Sequence, residues 1–221
     1  MEEKIIIFGN GDIAELAHFY FTKDSNYKVC GFTVDKDYLK NDNFLNLPIV
    51  GFNEVTEHFP PSEYKMFVAV SYAKVNKVRQ EKYHQAKEKH YTTVSYISSK
   101  ATVFDNVNIG ENCFILENNT VQPFVSIGNN VTLWSGNHIG HHSKIQDNCF
   151  ITSQVVISGG VCVEPNCFIG INSTIRDHIT IGRESVIGAG SIIMKNTEQR
   201  SVYMPSQTLP ANITSDKLRG L

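Results

Sequence analysis

Long apolar runs are missing: no stretch of the 221 residues approaches the ~18 consecutive apolar side chains of a membrane-crossing helix. A large excess of charge of one sign is missing too. Lys plus Arg is 20 and Asp plus Glu is 22, a formal net charge of −2. That balance calls for neither nucleic acid nor an anionic membrane as partner. The five Cys (Cys30, Cys113, Cys149, Cys162, Cys167) are odd in number and form no C-x-x-C pair, which gives no disulfide framework and no zinc knuckle. Met1-Glu-Glu-Lys has neither a basic n-region nor an apolar h-region, so the expectation is a cytoplasmic protein without membrane insertion.

Aromatic residues become scarce past Tyr96, where only 7 of the 23 remain. The shift divides the chain into 1–95, 96–195 and a polar, weakly patterned tail 196–221. The first part reads as a small α/β unit with a parallel sheet. Lys4–Phe8 is a short apolar run of the kind found in a buried parallel strand, and Gly9-Asn-Gly11-Asp leads from it into a helix. Tyr27–Val34 and Lys65–Val70 read as further strands, and Lys74–His90 as a helix without Gly or Pro.

The middle part is governed by a period of six. Every sixth residue from Ile97 to Ile193 is aliphatic, seventeen positions in succession without an insertion. Four residues after each stands a second inward position, mostly small, among them Cys113, Asn119, Asn137, Ser143, Cys149 and Cys167. Such a period predicts a parallel β-helix of hexapeptides: each hexapeptide makes one flat side, and three make an 18-residue coil. Coils at the ~4.8 Å strand spacing give a prism about 25 Å tall.

Departures from that regularity mark candidate chemistry. Trp134-Ser-Gly-Asn-His138-Ile-Gly-His141-His142 holds the single Trp and three of the eight His within nine residues. One coil on from His141 and His142, at i+18, lie Gly159 and Gly160, which fit either a notch for a ligand or a turn of unusual backbone angles. An imidazole beside a slot suits general-base work near neutral pH, whereas three clustered His also fit a metal site or a solvated surface. In the first part, Gly9-Asn-Gly11-Asp-Ile-Ala14 followed by Asp35 fits either a tight β–α turn or a phosphate cradle with Asp35 on a ribose or base. Ninety-six residues suit a mononucleotide group better than a dinucleotide.

These elements together resemble the sialic-acid-type (NeuD/PglD-like) sugar acyltransferases. The resemblance runs from about residue 3 to 196, over Ile5-Ile-Ile-Phe-Gly-Asn-Gly, Gly31-Phe-Thr-Val-Asp35, the helix bearing Arg79 and the hexapeptides through Asn166-Cys-Phe-Ile-Gly-Ile-Asn-Ser173. It implies an α/β domain that binds a UDP- or dTDP-linked amino sugar through Gly9, Gly11 and Asp35, followed by a left-handed β-helix. It implies a homotrimer with acetyl-CoA as cosubstrate between subunits and no metal. His141 corresponds to the catalytic base, and Gly159, Gly160, Ile171 and Asn172 would line the coenzyme channel. Trp134 and His138 are expected on the substrate side. Relatives carry an acidic residue after the base where this chain has His142, which leaves Asn137 as the expected orienting partner and His142 as a second candidate base. From the prism's flat sides, Phe104, Phe114, Phe124, Trp134, Phe150 and Phe168 lie off the core positions, and some of these rings are expected at subunit contacts. A zinc-dependent hydratase of the γ-carbonic-anhydrase type and a non-catalytic nucleotide-sugar scaffold are the rival readings.

Overall fold

The structure, a computed structural model, describes residues 2–217. Its first part contains β1 (Glu3–Phe8), α1 (Asp12–Lys23), β2 (Tyr27–Val34), β3 (Asn43–Phe44), β4 (Leu47–Gly51), α2 (Val55–His58), β5 (Lys65–Val68) and α3 (Lys77–Glu88). The sheet order is β3-β4-β2-β1-β5, parallel throughout except for the β3–β4 pair. Successive side chains of a strand point to opposite faces. In β1, Ile5 and Ile7 enter a core with α1, while Ile6 and Phe8 enter another with Phe52, Val55 and Ala86. Both faces are covered, which is why the strand reads as an unbroken apolar run. The helix expected from Lys74 begins at Lys77, because Lys74, Val75 and Asn76 take left-handed backbone angles, with φ of +51°, +53° and +64°. The strand expected to reach Val70 ends at Val68.

From Tyr96 the chain winds as a left-handed parallel β-helix with three sheets. The first sheet runs through 96–97, 114–115, 132–133, 150–151, 168–169 and 186–187. The second runs from 102–103 to 192–193 and the third from 108–109 to 180–181. Neighbouring strands pair 18 residues apart, as in Thr120↔His138↔Val156. The sixfold aliphatics from Ile115 to Ile193 form one buried core with Cys113, Cys149 and Cys167. Ile97 departs from the expected burial and is 41% exposed, because no coil stacks above the first one. Each corner of the prism has one residue of positive φ, every six residues from Asn112 to Gly190. Asn and Gly, which tolerate that conformation, hold most of these positions. The prism also continues beyond its expected end at 195. Val202–Tyr203 pairs with Val186–Ile187, and the Gly182 amide donates to Thr197 Oγ1 at 2.7 Å. Of the expected tail, residues 218–221 lie outside the described residues.

The α/β unit packs on the outer face of the first sheet. Phe114 meets Tyr20, Phe67 and Tyr96, and Tyr72 meets Phe150 and Phe168. Of the six outward rings, Phe114, Phe150, Phe168 and Trp134 make contacts within the chain, whereas Phe104 and Phe124 are exposed. The reason is that the α/β unit needs an apolar floor, and Trp134 too packs against its core. Arg79 of α3 is buried at this junction, with Nη1 donating to Thr132 Oγ1 at 2.6 Å and Nη2 to the carbonyls of Asn148 and Cys149. Burial pushes its guanidinium down to about 10. Beside it runs a ladder of buried amides. Asn112 Oδ1 accepts from the Val68 amide, Asn112 Nδ2 donates to Asn130, and Asn130 Nδ2 donates to Asn148. Among the described residues no helix is long and apolar enough to cross a membrane.

Candidate functional site

Two regions hold most of the residues singled out by the sequence. The first lies at the carboxyl ends of β1 and β5, where the chain order reverses about β1, the position at which open α/β sheets bind ligands. A cavity of about 310 Å³ there is lined by Gly9, Gly11, Asp35, Tyr38, Ser71 and Lys82, among others. A second hollow of about 590 Å³ shares Gly11, Ala69 and Ser71 with it, so that the two form one trough. Gly9 is required by the fold: its φ is +133° and a β-carbon would stand 2.7 Å from the Ala69 carbonyl oxygen. Gly11 is free of such constraint, with nothing within 4 Å of an added β-carbon, and it precedes the first turn of α1. Lys82 of α3 donates to Asp35 Oδ1 at 2.8 Å. The sequence offers no sign of this pairing, since the two residues are 47 apart and Lys82 sits in a helix rich in charge.

The second region is the corner of the prism between its second and third sheets. His141 and His142 are both exposed there. The His141 amide donates to Gln122 Oε1 at 2.9 Å, and the His142 amide donates to the Pro123 carbonyl oxygen at 3.3 Å, so the coil above holds both backbones. His142 is the left-handed residue of the corner, with φ of +60°. Its Nδ1 lies 3.1 Å from Nδ1 of His141, and its ring lies 4.7 Å from that of Phe124 at 35°. On the other side, the His141 ring lies against Gly159, where a β-carbon would stand 2.6 Å from Cε1 and 2.8 Å from Nε2. Gly159 thus leaves room for the imidazole, while Gly160, with φ of +68°, fills the left-handed position of its corner. Gly160 is also covered by the ring of His178, which sequence reasoning missed although it stands 36 residues, two coils, beyond His142.

Other expected members of the site lie elsewhere. Asn137 is buried inside the prism, donating from Nδ2 to the Trp134 carbonyl and accepting at Oδ1 from the Val155 amide. It does not reach His141, because an inward position cannot reach a corner side chain; the ring nitrogen within hydrogen-bond distance of the His141 ring is His142 Nδ1. Trp134 lies half-buried beneath the α/β unit, with its ring 6.4 Å from Phe150. His138 is half-buried on the outer face of the second sheet, three residues before the corner. Ile171 and Asn172 are exposed on the corner at the opposite edge of that sheet from Gly159, so one chain does not bring them beside His141. The α/β unit covers the first sheet, and the trough and the His141 corner therefore lie on different sides of the prism. Among the described residues no three His, Cys, Asp or Glu side chains converge as a metal site.

Residues 106–141, 125–159 and 160–195 match the family described as bacterial transferase hexapeptide (six repeats). No curated protein sequence matches the chain. Solved structures match over nearly its whole length. A mutant of perosamine N-acetyltransferase from Caulobacter crescentus, in complex with CoA and GDP-perosamine, is 20% identical over 91% of this chain and 93% of its own, with a TM-score of 0.82. WeeI from Acinetobacter baumannii AYE is 16% identical over 90% of this chain and 95% of its own, with a TM-score of 0.77. The acetyltransferase domain of PglB from Neisseria gonorrhoeae FA1090 is 18% identical over 90% of this chain and 95% of its own, with a TM-score of 0.64. Residues 106–195 therefore match the bacterial transferase hexapeptide repeats, and the chain as a whole shares the fold of perosamine N-acetyltransferase.

Proposed function

We propose that the protein is an acetyl-CoA-dependent acetyltransferase that acts on an amino or hydroxyl group of a nucleotide-activated sugar, in the cytoplasmic stage of surface glycan biosynthesis. The observation that carries this reading is the exposed His141 imidazole lying over Gly159, on a chain that follows the fold of an enzyme crystallised with CoA and GDP-perosamine. The trough beside Gly9, Gly11 and Asp35 is assigned to the nucleotide. Transfer is direct. His141 Nε2 takes the acceptor's proton as the new bond forms to the thioester carbonyl carbon; the C–S bond then breaks, and CoA leaves as the thiol with that proton. The Gly159 amide, which has no acceptor among the described residues, is assigned to the developing oxyanion. A cysteine-linked acyl enzyme does not fit, because Cys113, Cys149 and Cys167 are buried in the prism and burial pushes Cys113 up to about 11.

A homotrimer completes this site. Within one chain the trough and the histidine corner are on different sides of the prism, and Gly159 and Ile171 stand at opposite edges of one sheet. That sheet presents His138, Val156, Thr174 and Ile192 outward, and Ile192 is 70% exposed. Packing that face on a second and third copy would join residues of two chains at each site. A monomeric mass by light scattering at micromolar concentration would contradict this assembly. The activity is tested by screening UDP-, dTDP- and GDP-linked amino sugars with acetyl-CoA for thermal stabilisation and for release of free thiol. At least one sugar nucleotide should raise the melting temperature and release CoA thiol. Stabilisation without thiol release across the panel would favour a scaffold instead.

A further inference from the structure

We propose that His142 is the positioning residue of this site. Its Nδ1 accepts the Nδ1–H of His141 and so holds His141 in the tautomer whose Nε2 is free to take the acceptor's proton. The inference rests on the reading of His141 as the base. Two neutral imidazoles whose Nδ1 atoms are 3.1 Å apart must share one hydrogen between them, one ring donating and the other accepting. A base that uses Nε2 carries its hydrogen on Nδ1, and His142 is the hydrogen-bond partner of the His141 ring.

The accepting ring is itself held in place. The His142 backbone is pinned by its left-handed corner and its bond to Pro123, and the ring lies against Phe124. His142 thus has the task that a carboxylate performs in a histidine–carboxylate pair, which is to fix the tautomer and the ring orientation of the base.

The exchange of a carboxylate for an imidazole has a chemical consequence. A carboxylate accepts a hydrogen bond throughout the neutral range, whereas an imidazole accepts at Nδ1 only while neutral. Once His142 gains a proton, two N–H groups face each other, the pair opens, and His141 loses its fixed tautomer. Competence therefore needs a free acceptor on His142 Nδ1 as well as a free Nε2 on His141.

The groups packed around the pair leave the hydrogen-bond exchange to the two rings. The corner above presents Gln122, Pro123 and Phe124, and the corner below presents Ser158, Gly159 and Gly160, none of which titrates. The next charged groups are Lys144 along the same corner and Arg176, Asp177 and His178 one coil further, with the His178 ring on Gly160 and its Nε2 4.0 Å from Asp177.

The test compares wild type with His142→Asn and His142→Phe. Asn tolerates the left-handed corner and offers an oxygen that accepts without titrating, as Asn130 does at an equivalent corner. Phe keeps a ring but no acceptor, and Phe124 shows that a corner admits Phe at φ of +66°. Kinetics use acetyl-CoA with the one sugar nucleotide of the panel that turns over fastest. His142→Phe should lower kcat by about 10–100-fold with both KM values little changed, and His142→Asn should restore most of that loss.

A second readout is independent of activity. In ¹⁵N-histidine-labelled protein, NMR should find His141 with its hydrogen on Nδ1 in wild type and on Nε2 in His142→Phe. A hydrogen on Nε2 of His141 in wild type, or equal kcat in all three proteins, overturns the proposal. Failure of His141 as base would appear elsewhere, as full turnover in His141→Ala, while wild type still shows the hydrogen on His141 Nδ1.

Discussion

The imidazole of His141 lies so close to Gly159 of the next coil that a β-carbon on the glycine would stand 2.6 Å from His141 Cε1. Gly159→Ala should therefore push the ring off its seat. Displacements of about 1 Å can cost roughly 10²-fold in rate, and kcat should fall by up to that amount while the prism remains folded. Circular dichroism and steady-state kinetics on the same preparation check this. Unchanged kcat would mean that the seat has no part in the chemistry.

The glycines of the trough should separate into one that serves the fold and one that serves the ligand. Gly9→Ala places a β-carbon against the Ala69 carbonyl at a positive φ and should cost about 1–3 kcal/mol by chemical denaturation. Gly11→Val meets open space and should leave stability nearly unchanged. It should instead raise KM for the sugar nucleotide, because the branched side chain enters the space assigned to the phosphates, and it should leave CoA affinity nearly unaltered. Equal weakening of both ligands would contradict separate sites.

A pH-dependent latch joins the two parts of the chain. Asp24, at the end of α1, accepts from the Tyr96 hydroxyl at 2.7 Å, the Ser99 amide at 2.9 Å and Ser98 Oγ at 3.2 Å. The hydrogen bonds from Ser99 and Tyr96 hold its carboxyl down to about 2. A depressed carboxyl stabilises the fold above its ordinary value and loses that contribution as pH falls toward its folded value. Asp24→Asn should thus lower Tm at pH 7, and the gap to wild type should narrow between pH 4 and about 2. A gap independent of pH over that range would remove the carboxylate from the latch.

The prism was legible because its signal is a strict period. Interior volume admits one aliphatic side chain at every sixth position, and each corner needs one left-handed residue, so Ile157 and Asn148 each announce their place. The same register put Asn137 on the inward side, and the structure keeps it there with both ends of its amide bound inside. What remained hidden depends on contacts between distant segments. The pairing of Lys82 with Asp35 has no local signature. The docking face did leave a trace, since Phe114, Phe150 and Phe168 share one outward column and Asn112, Asn130, Asn148 and Asn166 recur every 18 residues. Outward aromatics on one side of a solenoid mark a covered face, but only the fold shows that the cover is the chain's own α/β unit. Arg79 gave no sign of burial, because its partners are a hydroxyl and backbone carbonyls rather than an acid.

The central claim is that His141 is the general base, and its most direct test is the turnover of His141→Ala under saturating acetyl-CoA and sugar nucleotide. Removal of a positioned base should lower kcat by about 10²–10⁴-fold while thermal shifts with each ligand stay at their wild-type values. Wild-type turnover in His141→Ala would contradict the assignment and leave the close fit of His141 over Gly159 without a catalytic purpose.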